Sequence, residues 1–167
     1  MYYCTFDIPE YRPNVELDLY FKDWNEIDIR MTKDWKLTYT SPELEFTLEL
    51  LEGYITDGGS IWKIFWNIIS PRGLGLIGFL AHDGLYDLKA VPRWVADLIM
   101  YRVHQYCKLN PILAWTIYRL VRIGGGGHWK LMTHYNSYYQ CQDKARFTLH
   151  RATGKFAFLN NGTGPYL

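Results

Sequence analysis

Residues 78–87 read Gly-Phe-Leu-Ala-His-Asp-Gly-Leu-Tyr-Asp, an apolar run interrupted by His82, Asp83 and Tyr86. If the run is helical, His82 and Tyr86 lie four residues apart on one face. Asp83 then stands about 100° round the helix from His82, close enough to serve the same cleft. Polar groups in apolar surroundings need partners or carry a desolvation cost. The carboxylate of Asp97, on the next helical run from Pro92 to Lys108, is the partner that a helical hairpin would deliver. Paired with it, His82 would be a general base for water, with Asp97 fixing its tautomer and stabilising the imidazolium. Asp83 would hold a hard cation such as calcium, helped by backbone carbonyls of a glycine loop, and the cation would stabilise an oxyanion. The competing reading makes His82 and Asp97 a buried polar pair that pins two helices together. Residue types leave both open.

The elements that must position these groups fall in blocks. Val15–Phe21, Trp35–Thr40 and Leu44–Leu50 alternate apolar and polar residues as half-buried strands do, and Tyr54-Ile55-Thr56 runs into Asp57-Gly58-Gly59-Ser60. An antiparallel sheet of three to five strands is expected. Ser60 can cap a helix from Ile61 to Ile69 that stops before Pro71, with Trp62, Phe65, Trp66 and Ile69 on one face. That stripe suits either core packing on the sheet or contact with a membrane surface. A central helix is predicted from Gly73 or Leu74 to Leu88, another from Pro92 to Lys108, and a third from Pro111 to Ile123, stopped at Gly124–Gly127. Short connections imply antiparallel neighbours. Phe147–His150 and Lys155–Phe158, flanking Ala152-Thr153-Gly154, read as a β-hairpin. The fold class is α+β: an N-terminal antiparallel sheet, a three- to four-helix segment and a C-terminal hairpin extension. Residues 1–167 form a single domain, mainly β over 1–56, helical with the His–Asp site over 60–123, and Tyr-rich over 128–167.

Composition bounds the function. Apolar residues make up 49% and charged residues 21%, which is globular and not disordered. A formal charge of +1 supplies no overall field for nucleic acid, so no nucleic-acid partner is expected. Cys4, Cys107 and Cys141 lie far apart with no CxxC pair, which argues against a disulfide framework or a structural zinc site. Residues 1–5 lack a signal-peptide pattern, and the apolar stretch 61–81 is broken by Lys63, Asn67, Pro71 and Arg72, so neither a signal peptide nor a transmembrane helix is expected.

The stretch Trp35–Trp129 resembles a phage-associated family, the domain-of-unknown-function 1353 family, whose signature runs TDxxSIPr, HDxLY, ADxxF and a closing helix ending in glycine. Here these stand as Thr56-Asp57-Gly58-Gly59-Ser60-Ile61-Trp62, His82-Asp83-Gly84-Leu85-Tyr86, Ala96-Asp97-Leu98-Ile99-Met100 and Val121-Arg122-Ile123-Gly124. Trp62 replaces a proline and Met100 an aromatic, which alters a turn and a packing position but not the polar set. The resemblance implies a bacteriophage gene near tail or lysis genes, a location in the virion or the host cytoplasm, and other virion or tail proteins as partners. A second, local resemblance joins His82-Asp83-x-x-Tyr86 and Asp97 to the phospholipase A2 active site. It implies catalytic roles for His82, Asp97 and Tyr86, the tyrosine hydrogen-bonding Asp97. It also implies a calcium site made of Asp83 and the carbonyls of Gly58 and Gly59. The disulfides of that family are absent, so the likeness is one of site alone.

Other motifs carry less. An HD phosphohydrolase needs a histidine before its HD pair, and His82 is the first in the chain. Gly124–Lys130 lacks the GK[ST] of a phosphate loop. His104 lies seven residues beyond Asp97, about 10 Å along a helix, too far to share a metal, and is expected to be an ordinary surface or core histidine. Arg119 and Arg122 are expected on a solvated or interface edge, and Tyr135–Tyr139 on a partner surface or folded back on the domain. Two functions follow: a virion or tail-associated component with a structural polar lock, or a calcium-dependent ester hydrolase acting on the host envelope.

Overall fold

The computed structural model describes residues 5–7, 17–23, 26–56, 75–135 and 142–161. Seven strands appear among them: β1 (Thr5–Asp7), β2 (Leu17–Asp23), β3 (Glu26–Met31), β4 (Trp35–Thr40), β5 (Leu44–Leu50), β6 (Ile55–Thr56) and β7 (Ala145–Ala152). They build two antiparallel sheets, ordered β1-β4-β5-β7 and β2-β3-β6. Among the described residues after β6 there are three α-helices: α1 (Gly75–Leu88), α2 (Arg93–Tyr106) and α3 (Pro111–Tyr135). The α+β class expected from the patterning is the observed one. The helix expected over 61–69, with its Trp62/Phe65/Trp66/Ile69 stripe, lies outside the described residues.

Alternation in β4 and β5 sets the sheet's inner face. Trp35, Leu37 and Tyr39 are buried opposite Leu50, Leu48 and Phe46. Phe46 stacks on Tyr39 with ring centroids 5.3 Å apart and tilts against Phe147 of β7 at 5.2 Å. The outer face is polar, with Lys36 and Glu49 3.4 Å apart and Arg151 3.2 Å from Glu45. Helix α1 lies against the inner face. Gly84 makes that contact close, since a Cβ there would stand 2.8 Å from Leu50 Cδ2. Nearly every residue of α1 from Gly75 to Tyr86 is buried, as expected of a helix covered by the sheet on one side and by helices on the other.

The connections hold the helices antiparallel. The start of α1 meets the end of α2, where His104 reaches Gly75, and the start of α2 meets the later turns of α3, where Arg93 reaches Val121. Asn110 caps α3, its Oδ1 accepting from the amides of Ile112 and Leu113 at 3.0 and 3.2 Å, with Pro111 in the first turn. Helix α2 ends on Lys108, which takes the left-handed conformation at φ 57°. Glycine holds that conformation without a Cβ penalty. Lys108→Gly is therefore expected to raise stability by about 0.5–1 kcal/mol, read by urea denaturation; a loss would show that the lysine side chain supports the cap.

Two boundaries differ from expectation. Helix α3 does not stop at the four glycines but runs through them to Tyr135. The buried positions Ala114, Ile117 and Val121 continue at the same spacing to Gly125, and a Cβ on Gly126 would stand 3.1 Å from the Arg93 guanidinium. Close packing there outweighs the low helix propensity of glycine. The C-terminal hairpin also fails to close. β7 pairs with β5, but Gly154–Asn161 is a 3-10 helix instead of a returning strand. Gly154 turns the chain at φ 55°, and Phe156 is buried against Trp94 of α2 with ring centroids 5.7 Å apart. Burying Phe156 is worth more than pairing a short strand along the edge of β7.

Candidate functional site

The polar set converges on one carboxylate. Asp97, in the second turn of α2, is fully buried and receives side chains from all three helices. From α1, His82 Nε2 lies 3.0 Å from Asp97 Oδ1, and the Tyr86 hydroxyl donates to the same oxygen at 2.6 Å. From α3, Arg122 Nη1 donates to Oδ2 at 2.9 Å. From one turn earlier on α2, Arg93 Nε stands 3.7 Å from Oδ2. Arg93 also donates to the carbonyls of Val121 at 3.0 Å and of Arg122, fastening α2 to α3. The histidine, tyrosine and aspartate singled out in the sequence are thus in contact. Arg93 and Arg122 are not among the site residues expected from the sequence, where Arg122 is placed on a solvated or interface edge. Arg93 precedes Asp97 by four residues, a spacing that brings side chains together on a helix. Arg122 carries no comparable local signal.

Asp83 lies on the other side of the imidazole, its Oδ1 3.4 Å from His82 Nδ1. Each ring nitrogen of His82 therefore faces a carboxylate, and both can donate only if the ring is the imidazolium. Burial opposes that charge, but the hydrogen bonds to Asp83 and Asp97 and their negative charges outweigh it, and the pKa of His82 is raised. Burial would likewise raise the Asp97 pKa, yet His82, Tyr86 and Arg122 hold it below the usual carboxylate value. The Tyr86 phenol is pushed strongly upward by burial and then by the Asp97 charge. Tyr86 is therefore a hydrogen-bond donor and not a proton acceptor.

Around this node the aromatic packing is close. The His82 and Tyr86 rings lie 3.9 Å apart, and Trp129, on the part of α3 beyond the glycines, meets Tyr86 edge-on at 4.6 Å. Lys89 Nζ donates to the Trp129 carbonyl at 3.3 Å and sits 5.4 Å over its ring. Without a helix continuing through Gly124–Gly127, Trp129 would not reach this position. Trp129 was not anticipated either.

Gly58 and Gly59, expected to help Asp83 hold calcium, lie outside the described residues. Among the described residues, no group of three or more His, Cys, Asp or Glu side chains is placed to share a metal ion. Of the two places open to an ordinary histidine, surface or core, His104 takes the core: it is buried, its Nε2 donating to the Gly75 carbonyl at 3.0 Å. Cys107 is buried, and burial pushes the pKa of its thiol up to about 11. No helix among the described residues is long and apolar enough to cross a membrane.

No curated protein and no solved structure matches the chain. A family model described as "Protein of unknown function (DUF1353)" matches residues 30–121, more than half of the chain, from the end of β3 through β4, β5, α1 and α2 into α3. The match takes in His82, Asp83, Tyr86, Arg93 and Asp97, and the chain belongs to the DUF1353 family.

Proposed function

We propose that the protein is a virion- or tail-associated component of a bacteriophage, and that its His–Asp site is chiefly a structural lock for the helical layer. The particle setting is supported by the phage association that the resemblance to the DUF1353 family implies. The lock is supported above all by Asp97, a fully buried carboxylate met by four side chains from three helices. A catalytic base needs a free lone pair, whereas both His82 nitrogens are turned to carboxylates. Asp97 is already countered by Arg122, so it has less charge to offer an imidazolium formed during turnover.

One observation favours a second reading. His82 and Tyr86 share Asp97 Oδ1, and Asp83 adjoins the ring, which is the constellation a calcium-dependent ester hydrolase of the phospholipase A2 kind would use. In that reading His82 activates water and a cation held by Asp83 polarises the ester carbonyl. The substitution His82→Ala separates the two. A lock predicts a loss of about 1–3 kcal/mol in urea denaturation, because buried partners are left unsatisfied. It also predicts no calcium-dependent release of fatty acid from phospholipid vesicles by the parent protein. Fatty-acid release that requires calcium and disappears in a folded His82→Ala variant would replace the lock with the hydrolase. Mass spectrometry of purified particles from a host carrying the gene tests the setting, and absence of the chain from them would overturn it.

A further inference from the structure

The helical half of the chain has a charge character that the near-neutral total conceals. Residues 89–135 contain seven lysines and arginines and one acidic residue, Asp97, against a formal charge of +1 for the whole protein. That single acid is buried and ion-paired, so it offers nothing to the surface. On the outer side of α3 an apolar stripe is open to solvent: Ile112 is 77% exposed, Trp115 54%, Leu120 42% and Ile123 76%. These positions, with Thr116 and Arg119 between them, follow helical spacing over a length of about 17 Å. Arg119 is exposed on the same face, its guanidinium 5.7 Å from the centre of the Trp115 ring. The opposite face of α3, with Ala114, Ile117 and Val121, is spent on the core. At the end of α2, Tyr106 and Lys108 are exposed as well.

We propose that this face of α3 docks on an anionic lipid surface. Aliphatic tips with a tryptophan and an arginine, on a helix whose sequence holds no acidic residue, form the side-chain set that seats a helix in a headgroup layer. The Arg119 stem can lie along the apolar surface while its guanidinium reaches lipid phosphate. A second copy of the chain fits this face less well, because a two-fold pairing would set Arg119 near Arg119 with no acid on α3 to answer it. Nucleic acid would answer the charge but leave Ile112, Leu120 and Ile123 in water. The inference is independent of whether the Asp97 node is a lock or an active site.

Co-sedimentation of the full chain with vesicles tests it. Vesicles of phosphatidylcholine containing phosphatidylglycerol should bind the protein at low salt, with a blue shift of tryptophan emission that Trp115→Phe reduces. Added salt should weaken the partitioning severalfold. Ile112→Ser/Ile123→Ser and, separately, Arg119→Glu should each reduce it roughly tenfold. Because these side chains are exposed, both variants should keep the parent melting temperature. Failure to bind, equal binding to phosphatidylcholine alone, or binding unchanged by either variant would overturn the proposal. So would a solution dimer that Ile112→Ser/Ile123→Ser dissociates, since a second copy would then be the occupant.

Discussion

Asp97→Ala is expected to lower the unfolding free energy by about 3–5 kcal/mol, the range for breaking a buried ion pair by removing one partner. The loss comes from the groups left behind more than from the bonds removed. The Tyr86 hydroxyl and the His82 ring are buried and have no water to turn to. Arg93 and Arg122 are partly exposed, with side chains 22% and 37% accessible, and can recover some hydration. That places the effect toward the lower end of the range. Asp97→Asn should cost less, because the amide oxygen can still accept from Tyr86 while the charge opposing the two guanidinium groups is gone. In a double-mutant cycle, Asp97→Ala and Arg122→Ala should be less than additive by about 1–2 kcal/mol, since they remove opposite ends of one bond. Equilibrium urea denaturation at neutral pH, with the m-value unchanged, is the measurement. A loss below 1 kcal/mol for Asp97→Ala would show that the helices are held by apolar packing alone.

The parts of this arrangement that local pattern determines were readable before any coordinates. Strands β4 and β5 have the predicted bounds because strict alternation fits one buried face and nothing else. The helices α1 and α2 lie where an apolar run and Pro92 place them, and their short connection brings His82 to Asp97. What local pattern does not carry is the answering charge. Arg122 is twenty-five residues from Asp97 and reaches it only because α3 folds back over α2. Judged alone, an arginine on an amphipathic helix is a surface residue; here tertiary contact makes it a partner.

The four glycines illustrate the same limit from the other side. Glycine raises the cost of a helix by about 1 kcal/mol per residue relative to alanine, so a run of four is ordinarily a stop. Here a side chain at Gly125 would stand 3.4 Å from the Tyr86 hydroxyl and one at Gly126 3.1 Å from Arg93. The absence of Cβ atoms lets α3 approach the node, and Trp129 then packs on Tyr86. The continued spacing Ile117, Val121, Gly125, Trp129 was the available signal. The C-terminal segment misled for a similar reason: Lys155–Phe158 alternates like a strand, but Phe156 and Phe158 both turn to Trp94.

His104 should make the protein less stable as pH falls from about 6.5 toward 4, by up to about 3 kcal/mol from this residue alone. Its Nε2 donates to the Gly75 carbonyl, so the neutral ring carries its lone pair on Nδ1, which is buried without a hydrogen-bond partner. Phe79 meets the ring edge-on at 5.1 Å, and Gly78 lies so close that an added Cβ would stand 2.2 Å from it. The ring cannot turn a second N–H to solvent. Burial therefore lowers the pKa from 6.5 to about 4, against the hydrogen bond to Gly75 and with a further contribution from His82. The unfolded chain takes up this proton below 6.5 and the folded one does not until about 4, so protons favour unfolding across that window. His82 works in the opposite sense, since its raised pKa adds stability that is present below 6.5 and lost as pH rises through the folded value. The two are separated by His104→Gln, whose amide can still donate to Gly75 but cannot titrate. Denaturation at pH 7 and pH 4.5 should show a smaller loss for the variant than for the parent, by about 2 kcal/mol. Equal losses in the two proteins would mean that the folded state accommodates a charged His104, and the packing of Gly78 against its ring would then have to open.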